Sequence, residues 1–255
     1  MTISAAPDVI AGFLLALVRA SAWLTIVPPF GSRTVPVRVK VALAFAIALA
    51  VAPRLPGSVP LDTAGFLVAV ALQTMIGLVL GFVALMLFSA VQAAGSLIDL
   101  MGGFTLDQAY DPLSNNQSAV IGRFYQLLSV TLLFAIDGHL MLLRGFMDSF
   151  SALPAGGFAM KDLAALLTRD FGRFFLASLE IAAPLAAALF LAEIALGLLS
   201  KAAPQMNVFQ LGFPLKILLT LLLLGSVIGL MPNALGAIVD RIMQSWAAVG
   251  RIVSG

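Results

Sequence analysis

Long apolar stretches, separated by short polar or proline-rich ones, run through this chain from end to end. The first covers about residues 7–27, carries only Asp8 and Arg19 as charges, and stops at Pro28-Pro29, where a missing donor and a restricted preceding residue oppose further helix. A basic link with Arg33, Arg38 and Lys40 and no acid follows. The second run, residues 41–52, ends at a cluster of Pro53, Pro56 and Pro60 expected of an irregular connector. The third has no charged side chain over the 36 residues 63–98, between Asp62 and Asp99. As one helix it would reach roughly 54 Å at about 1.5 Å per residue, against about 30 Å of bilayer hydrocarbon.

The fourth run, residues 119–150, ends at Leu153-Pro154-Ala155-Gly156-Gly157. A mixed-charge strip, residues 161–173, leads into the fifth, which continues to about residue 200 with Glu180, Pro184 and Glu193 inside it. A polar elbow interrupted by Pro204 and Pro214 then joins the fifth run to the sixth, residues 215–239, and an amphipathic tail carries Asp240, Arg241 and Arg251. The pattern predicts an all-α, membrane-associated fold of about six long apolar helices, with the elbow turning a helical hairpin.

Composition sets the environment. With 61% hydrophobic and only 10% charged residues, the chain has too little polar surface to coat a soluble globule of this size. Membrane lipids are therefore expected neighbours. No basic region precedes the first run, which favours a retained helix over a cleaved secretory signal. A net charge of +2 gives no basis for nucleic-acid binding. If six segments alternate across a bilayer, Arg33, Arg38, Lys40, Lys201 and Lys216 fall on one side, expected to be cytoplasmic.

Enzyme chemistry finds little footing. The chain has no cysteine and one histidine, His139, which with a single nearby acid, Asp137, reads as a hydrogen-bonded helix residue. No G-x-x-x-x-G-K-[ST] loop is present, so no cofactor is expected and no ATP hydrolysis by that route. Three charges inside apolar runs, Arg19, Glu180 and Glu193, need a partner or a wet cavity. Arg173 and Glu180 lie seven residues apart on nearly one helix face, whereas Glu180 and Glu193 project about 140° apart. Structural or intersubunit pairing is the expectation, and a proton relay the alternative. Gly77 with Gly81, and Gly225 with Gly229, are small-xxx-small pairs suited to close helix packing.

Two polar segments stand out. In the first, Gly102, Gly103 and Phe104 break the third run, and Asp107, Asp111, Pro112, Ser114, Asn115 and Asn116 follow. This is either an ordinary exposed loop or backbone held in a lumen, since polar backbone cannot face lipid without partners. The second is the elbow itself, with Pro204, Gln205, Asn207, Phe209, Gln210, Gly212, Pro214 and Lys216.

The elbow resembles the signature of the flagellar type III export family known as FliR, which includes the corresponding subunit of virulence injectisomes. The resemblance extends over essentially the whole chain. Arg19, Pro28, Phe30-Gly31, Val35-Pro36 and Lys40 match the family's opening pattern. Asp99, Gly103, Asp111-Pro112, Phe134, Gly138-His139, Ser149-Phe150 and Leu153-Pro154 follow in its order. Met101 departs from the glutamine that the family favours there.

The resemblance implies a single-copy, non-enzymatic subunit of an export gate in the inner membrane, within the flagellar basal body. Its implied partners are five copies of FliP, four of FliQ, and FlhB, and its cargo unfolded flagellar proteins. It implies a FliP-like part over residues 1–165 and a FliQ-like hairpin over residues 166–255, a channel plug at the Gly102 to Asn116 loop, and an FlhB-contacting elbow. The injectisome counterpart is the nearest alternative. A stand-alone secondary transporter, which would show two related halves, is a more distant one.

Overall fold

The computed structural model describes residues 5–32, 34–52, 62–104, 119–152, 160–205 and 207–254. Among these the regular structure is helical: α1 (Ala5–Ile26), α2 (Val37–Val51), α3 (Thr63–Gly102), α4 (Val120–Ala135), α5 (Gly138–Ala152), α6 (Met160–Ala202), α7 (Val208–Ile228) and α8 (Met231–Ser254). Four of them, α1, α3, α6 and α7, are long and apolar enough to cross a membrane, and the broken pair α4 and α5 would make a fifth. The expected all-α, membrane-associated character holds; the segmentation differs in four places.

Helix α2 begins at Val37, directly after Pro36, which serves as its N-cap. Arg38 and Lys40 therefore sit in its first turn. Its 15 residues reach only about 22 Å, and α2 is absent from the candidate spans. The fourth run is two helices, because Asp137 adopts a left-handed φ of 56° just before Gly138. Asp is among the few non-glycine residues that tolerate this conformation, and the Asp137 carbonyl then accepts Leu140 N–H at 3.0 Å to start α5. The sixth run also divides, at Gly229-Leu230. Pro232 falls in the first turn of α8, where its missing donor costs nothing.

The fourth difference concerns the elbow. Pro214 was expected to end a helix, yet it lies inside α7. Asn207 starts that helix as N-cap, its Oδ1 accepting Gln210 N–H at 3.2 Å, so only one later donor is lost to Pro214. The elbow's turn lies at Pro204 and Gln205, and Lys216 belongs to the helix. Among the described residues, four helices or up to five are long and apolar enough to cross a membrane, in place of the six segments on which the grouping of the five basic residues rests.

The chain divides into two compact units that interleave along the sequence. The first comprises residues 1–88, 137–172 and 239–255; the second, residues 89–136 and 173–238. In the first unit both tryptophans of the chain share one cluster. Trp23 stacks on Phe146 with centroids 4.1 Å apart, and Trp246 meets Trp23 edge-on at 6.1 Å. Trp246 Nε1 donates to the Leu80 carbonyl at 3.0 Å, giving its buried indole a polar partner. Phe13 packs edge-on against Phe45, joining α1 to α2.

Gly77 and Gly81 let α3 lie against α1. A Cβ at Gly77 would stand 2.4 Å from the Arg19 carbonyl oxygen and 2.9 Å from Ala22 Cβ. The second glycine pair behaves differently: nothing lies within 4 Å of a Cβ at Gly225, and Gly229 would meet only Ser226 O at 3.5 Å. Gly77→Ala is therefore expected to destabilise the chain by about 1–3 kcal/mol through overpacking. Gly225→Ala should be neutral or gain up to ~1 kcal/mol in helix propensity. Thermal unfolding of the two detergent-purified variants reads the difference directly.

Candidate functional site

The corner between α3 and α4, in the second unit, gathers the polar chemistry at the base of the segment singled out from the sequence. Helix α3 ends in a glycine-dependent turn: Gly103 has φ +84°, and Phe104 N–H donates to the Asp99 carbonyl at 3.0 Å. This six-to-one bond, with a left-handed residue one place earlier, is the Schellman arrangement that satisfies a terminal carbonyl. An added Cβ at Gly102 would stand 2.8 Å from Thr220 Oγ1 of α7, and one at Gly103 would lie 3.1 Å from the Phe213 ring. Glycines at these positions leave room for α7.

Helix α4 starts with Ala119 as N-cap, a residue with no side chain able to cap. The cap comes from Asp99. Its Oδ1 accepts Ile121 N–H and its Oδ2 accepts Gly122 N–H, both at 2.9 Å, with Asp99 fully buried. Two of the four orphan donors of α4 are thereby satisfied, and an anionic group sits at the positive end of the helix. The backbones are close enough that a Cβ at Gly95 would lie 2.7 Å from Gly122 Cα and 2.8 Å from Ile121 O. Asp107, Asp111, Pro112, Asn115 and Asn116, expected in the plug, lie outside the described residues.

The elbow residues are brought together around the start of α7. Pro204 and Gln205 form an exposed turn, and Asn207 caps. Gln210 is exposed. Phe209 lies in the first turn of α7, with its side chain outside the described ones. Gly212 is buried, 3.2 Å from Leu196 Cδ1 measured from an added Cβ. Lys216 forms an ion pair with Glu193 of α6, closing the α6–α7 hairpin that the sequence led one to expect. Glu193 remains 63% exposed and Lys216 15%, so one intramembrane charge meets an elbow residue within the chain. Glu180 is exposed on α6 and Arg173 half-buried on the same helix.

Arg19 lies in the first unit and is fully buried. Its Nε donates to Gln73 Oε1 at 2.5 Å and its Nη1 to the Ser149 carbonyl at 3.0 Å, while the guanidinium lies 4.3 Å from the Phe150 ring centroid. Neutral acceptors and an aromatic face from α3 and α5 thus hold this cation. Sequence reasoning passed over Gln73, and it treated Asp99 and Ser149 only as parts of a pattern. The signal for Asp99 was its position: the first acid after a long uncharged run, just ahead of a glycine pair.

The model of the bacterial export proteins, family 1, matches residues 10–242. A flagellar biosynthetic protein FliR of Bacillus subtilis (strain 168) is 33% identical over 223 residues, covering 85% of this chain and 86% of the relative. The FliR of Escherichia coli (strain K12) is 36% identical over 216 residues, covering 84% and 83%. The Yop proteins translocation protein T of Yersinia pestis is 29% identical over 169 residues, 65% of each chain.

The close backbone contact at the α3–α4 corner can be tested by itself. Gly95→Ala puts a methyl group against Gly122 Cα and the Ile121 carbonyl, backbone atoms that cannot rotate away. A loss of about 1–3 kcal/mol is expected, read as a lowered melting temperature. Unchanged melting would show that the two helices are not held this closely.

Proposed function

We propose that this chain, which belongs to the bacterial export proteins, family 1, is a non-enzymatic core subunit of a flagellar type III export gate in the bacterial inner membrane. The observation that carries the reading is the outer surface of the α6–α7 hairpin. Phe175, Leu176, Phe190, Leu191, Leu218 and Leu222 are all exposed there, and so are the acids Glu180 and Glu193. Hydrocarbon alone would take the leucines and phenylalanines but would strongly disfavour the carboxylates. Neighbouring export proteins can take both. The Bacillus subtilis and Escherichia coli flagellar relatives cover a larger share of the chain at higher identity than the Yersinia translocation protein, which favours a flagellar gate over an injectisome.

In this reading the chain assembles as one copy with five of FliP and four of FliQ, its residues 1–165 taking the FliP-like role and residues 166–255 the FliQ-like one. Unfolded flagellar subunits pass through the assembly, driven by energy from elsewhere in the apparatus. Gln205 and Gln210 at the elbow contact FlhB. The segment beginning at Gly102-Gly103-Phe104 occupies the resting channel.

Co-expression with FliP and FliQ from the same genome should yield one complex whose native mass contains a single copy of this chain; purification as a monomer or homo-oligomer would contradict the reading. Gln205→Ala with Gln210→Ala leaves the Asn207 cap and the Glu193–Lys216 pair in place. That double variant should keep the complex assembled while reducing FlhB capture in a pull-down. Deleting residues 105–116 should leave an assembled complex that leaks ions in a conductance measurement, whereas a deletion complex as ion-tight as wild type removes the plug assignment.

A further inference from the structure

We infer that Asp99 is the positioning residue of the α3–α4 corner: its carboxylate, carried on the last turn of α3, fixes where α4 begins, and export depends on its two acceptors. Two side-chain contacts of Asp99 support this, and a backbone contact of the same residue places them beside the end of α3. Its carbonyl accepts Phe104 N–H, its Oδ1 accepts Ile121 N–H and its Oδ2 accepts Gly122 N–H. The last residue described before the intervening segment and the helix that follows it are thus tied to the same residue. Nothing else described does this. Ala119, the N-cap of α4, offers no side-chain bond, and Asp99 is buried where water does not readily replace a lost acceptor,.

The corner is also built to keep the carboxylate in register. Gly95 and Gly122 permit backbone contact between the two helices, one turn before Asp99 on α3 and at the bonded amide on α4. On the other side, Gly102 and Gly103 meet Thr220 and Phe213 of α7. Any shift of Asp99 along α3 would therefore move the start of α4 relative to the Phe213–Thr220 stretch of α7, which includes Lys216 of the Glu193–Lys216 pair that closes the hairpin. The corner thus joins α3 to α4 through the Asp99 side chain and α3 to α7 through Gly102 and Gly103.

Asp99→Asn is the sharp test, because it preserves shape and volume but replaces one acceptor with a donor facing an N–H. Amide-resolved hydrogen exchange is measured on the assembled complex. Exchange at Ile121 and Gly122 should speed up about tenfold or more, the equivalent of ~1.4 kcal/mol, with α1 and α5 unchanged. Export of flagellar substrate should fall at equal complex abundance. Equal exchange in wild type and Asp99→Asn overturns the clamp. Faster exchange with full export overturns its role in export while leaving the contact in place.

Should Asp99→Asn fail to accumulate, Asp99→Glu carries the test. It keeps a carboxylate but displaces it by one methylene, so intermediate exchange and intermediate export are expected, and wild-type values for both overturn the inference. The link to export rests on the reading given under Proposed function, and the two fail separately. If the wild-type chain does not restore export to a strain lacking its own family member, that reading fails, whereas the exchange result still decides the clamp.

Discussion

In a chain this apolar, the governing constraint is that helix ends must find hydrogen-bond partners without help from water. Each helix leaves four donors and four acceptors open, and in hydrocarbon or protein interior each unmet one is costly. With only 10% of its residues charged, the chain places several polar groups at helix termini. Asp62 Oδ2 accepts Gly65 N–H at 2.8 Å at the start of α3. Asp99 closes the end of α3 and caps α4, and Asn207 caps α7. The two acids that bound the longest uncharged run are thus both capping residues, and the length of α3 follows from where they stand.

The same economy governs the buried charge in the first unit. A guanidinium has five donors and no way to become neutral at ordinary pH, so burying it requires acceptors from several directions. Gln73 and Ser149 supply them from α3 and α5, and Phe150 supplies an aromatic face. Arg19 consequently ties three sequence-distant segments together at a point next to the Trp23–Phe146 stack. Gly77 is what lets α3 approach closely enough, since its missing Cβ leaves space for the Arg19 carbonyl. A polar node and a small-residue contact depend on each other here.

Much of this was legible in the sequence, and the misreadings have identifiable causes. Runs one, three and five were each recognisable as one helix from uninterrupted apolarity, and the elbow was recognisable as a hairpin turn. Run four was read as continuous because apolar residues flank Asp137-Gly138 on both sides, although an Asp-Gly pair is itself a turn signal. Pro214 reads as a terminator because proline usually is one, yet α7 starts at the Asn207 cap and continues through it,. Spacing alone does not separate Gly77 and Gly81, which meet α1, from Gly225, which meets nothing among the described residues, and Gly229, which meets only the nearby Ser226 carbonyl. That distinction depends on which faces tertiary packing brings together.

Helix length argues against reading the chain as a simple set of bilayer spans. At 40 residues, α3 would extend roughly 60 Å, and the 15-residue α2 about 22 Å,; neither matches a hydrocarbon layer of about 30 Å. Tilt absorbs part of an excess, but not a factor of two. The lengths instead follow local chemical signals: Pro36 before α2, Asp62 at the start of α3, and the Gly103 turn at its end. Hydropathy reports that these helices avoid water, which contact with lipid and contact with other apolar helices satisfy equally. The exposed carboxylate of Glu193 breaks that equivalence. Its bond to Lys216 uses one partner and leaves most of its surface open, and only protein or water, not acyl chains, can meet the acceptors that remain.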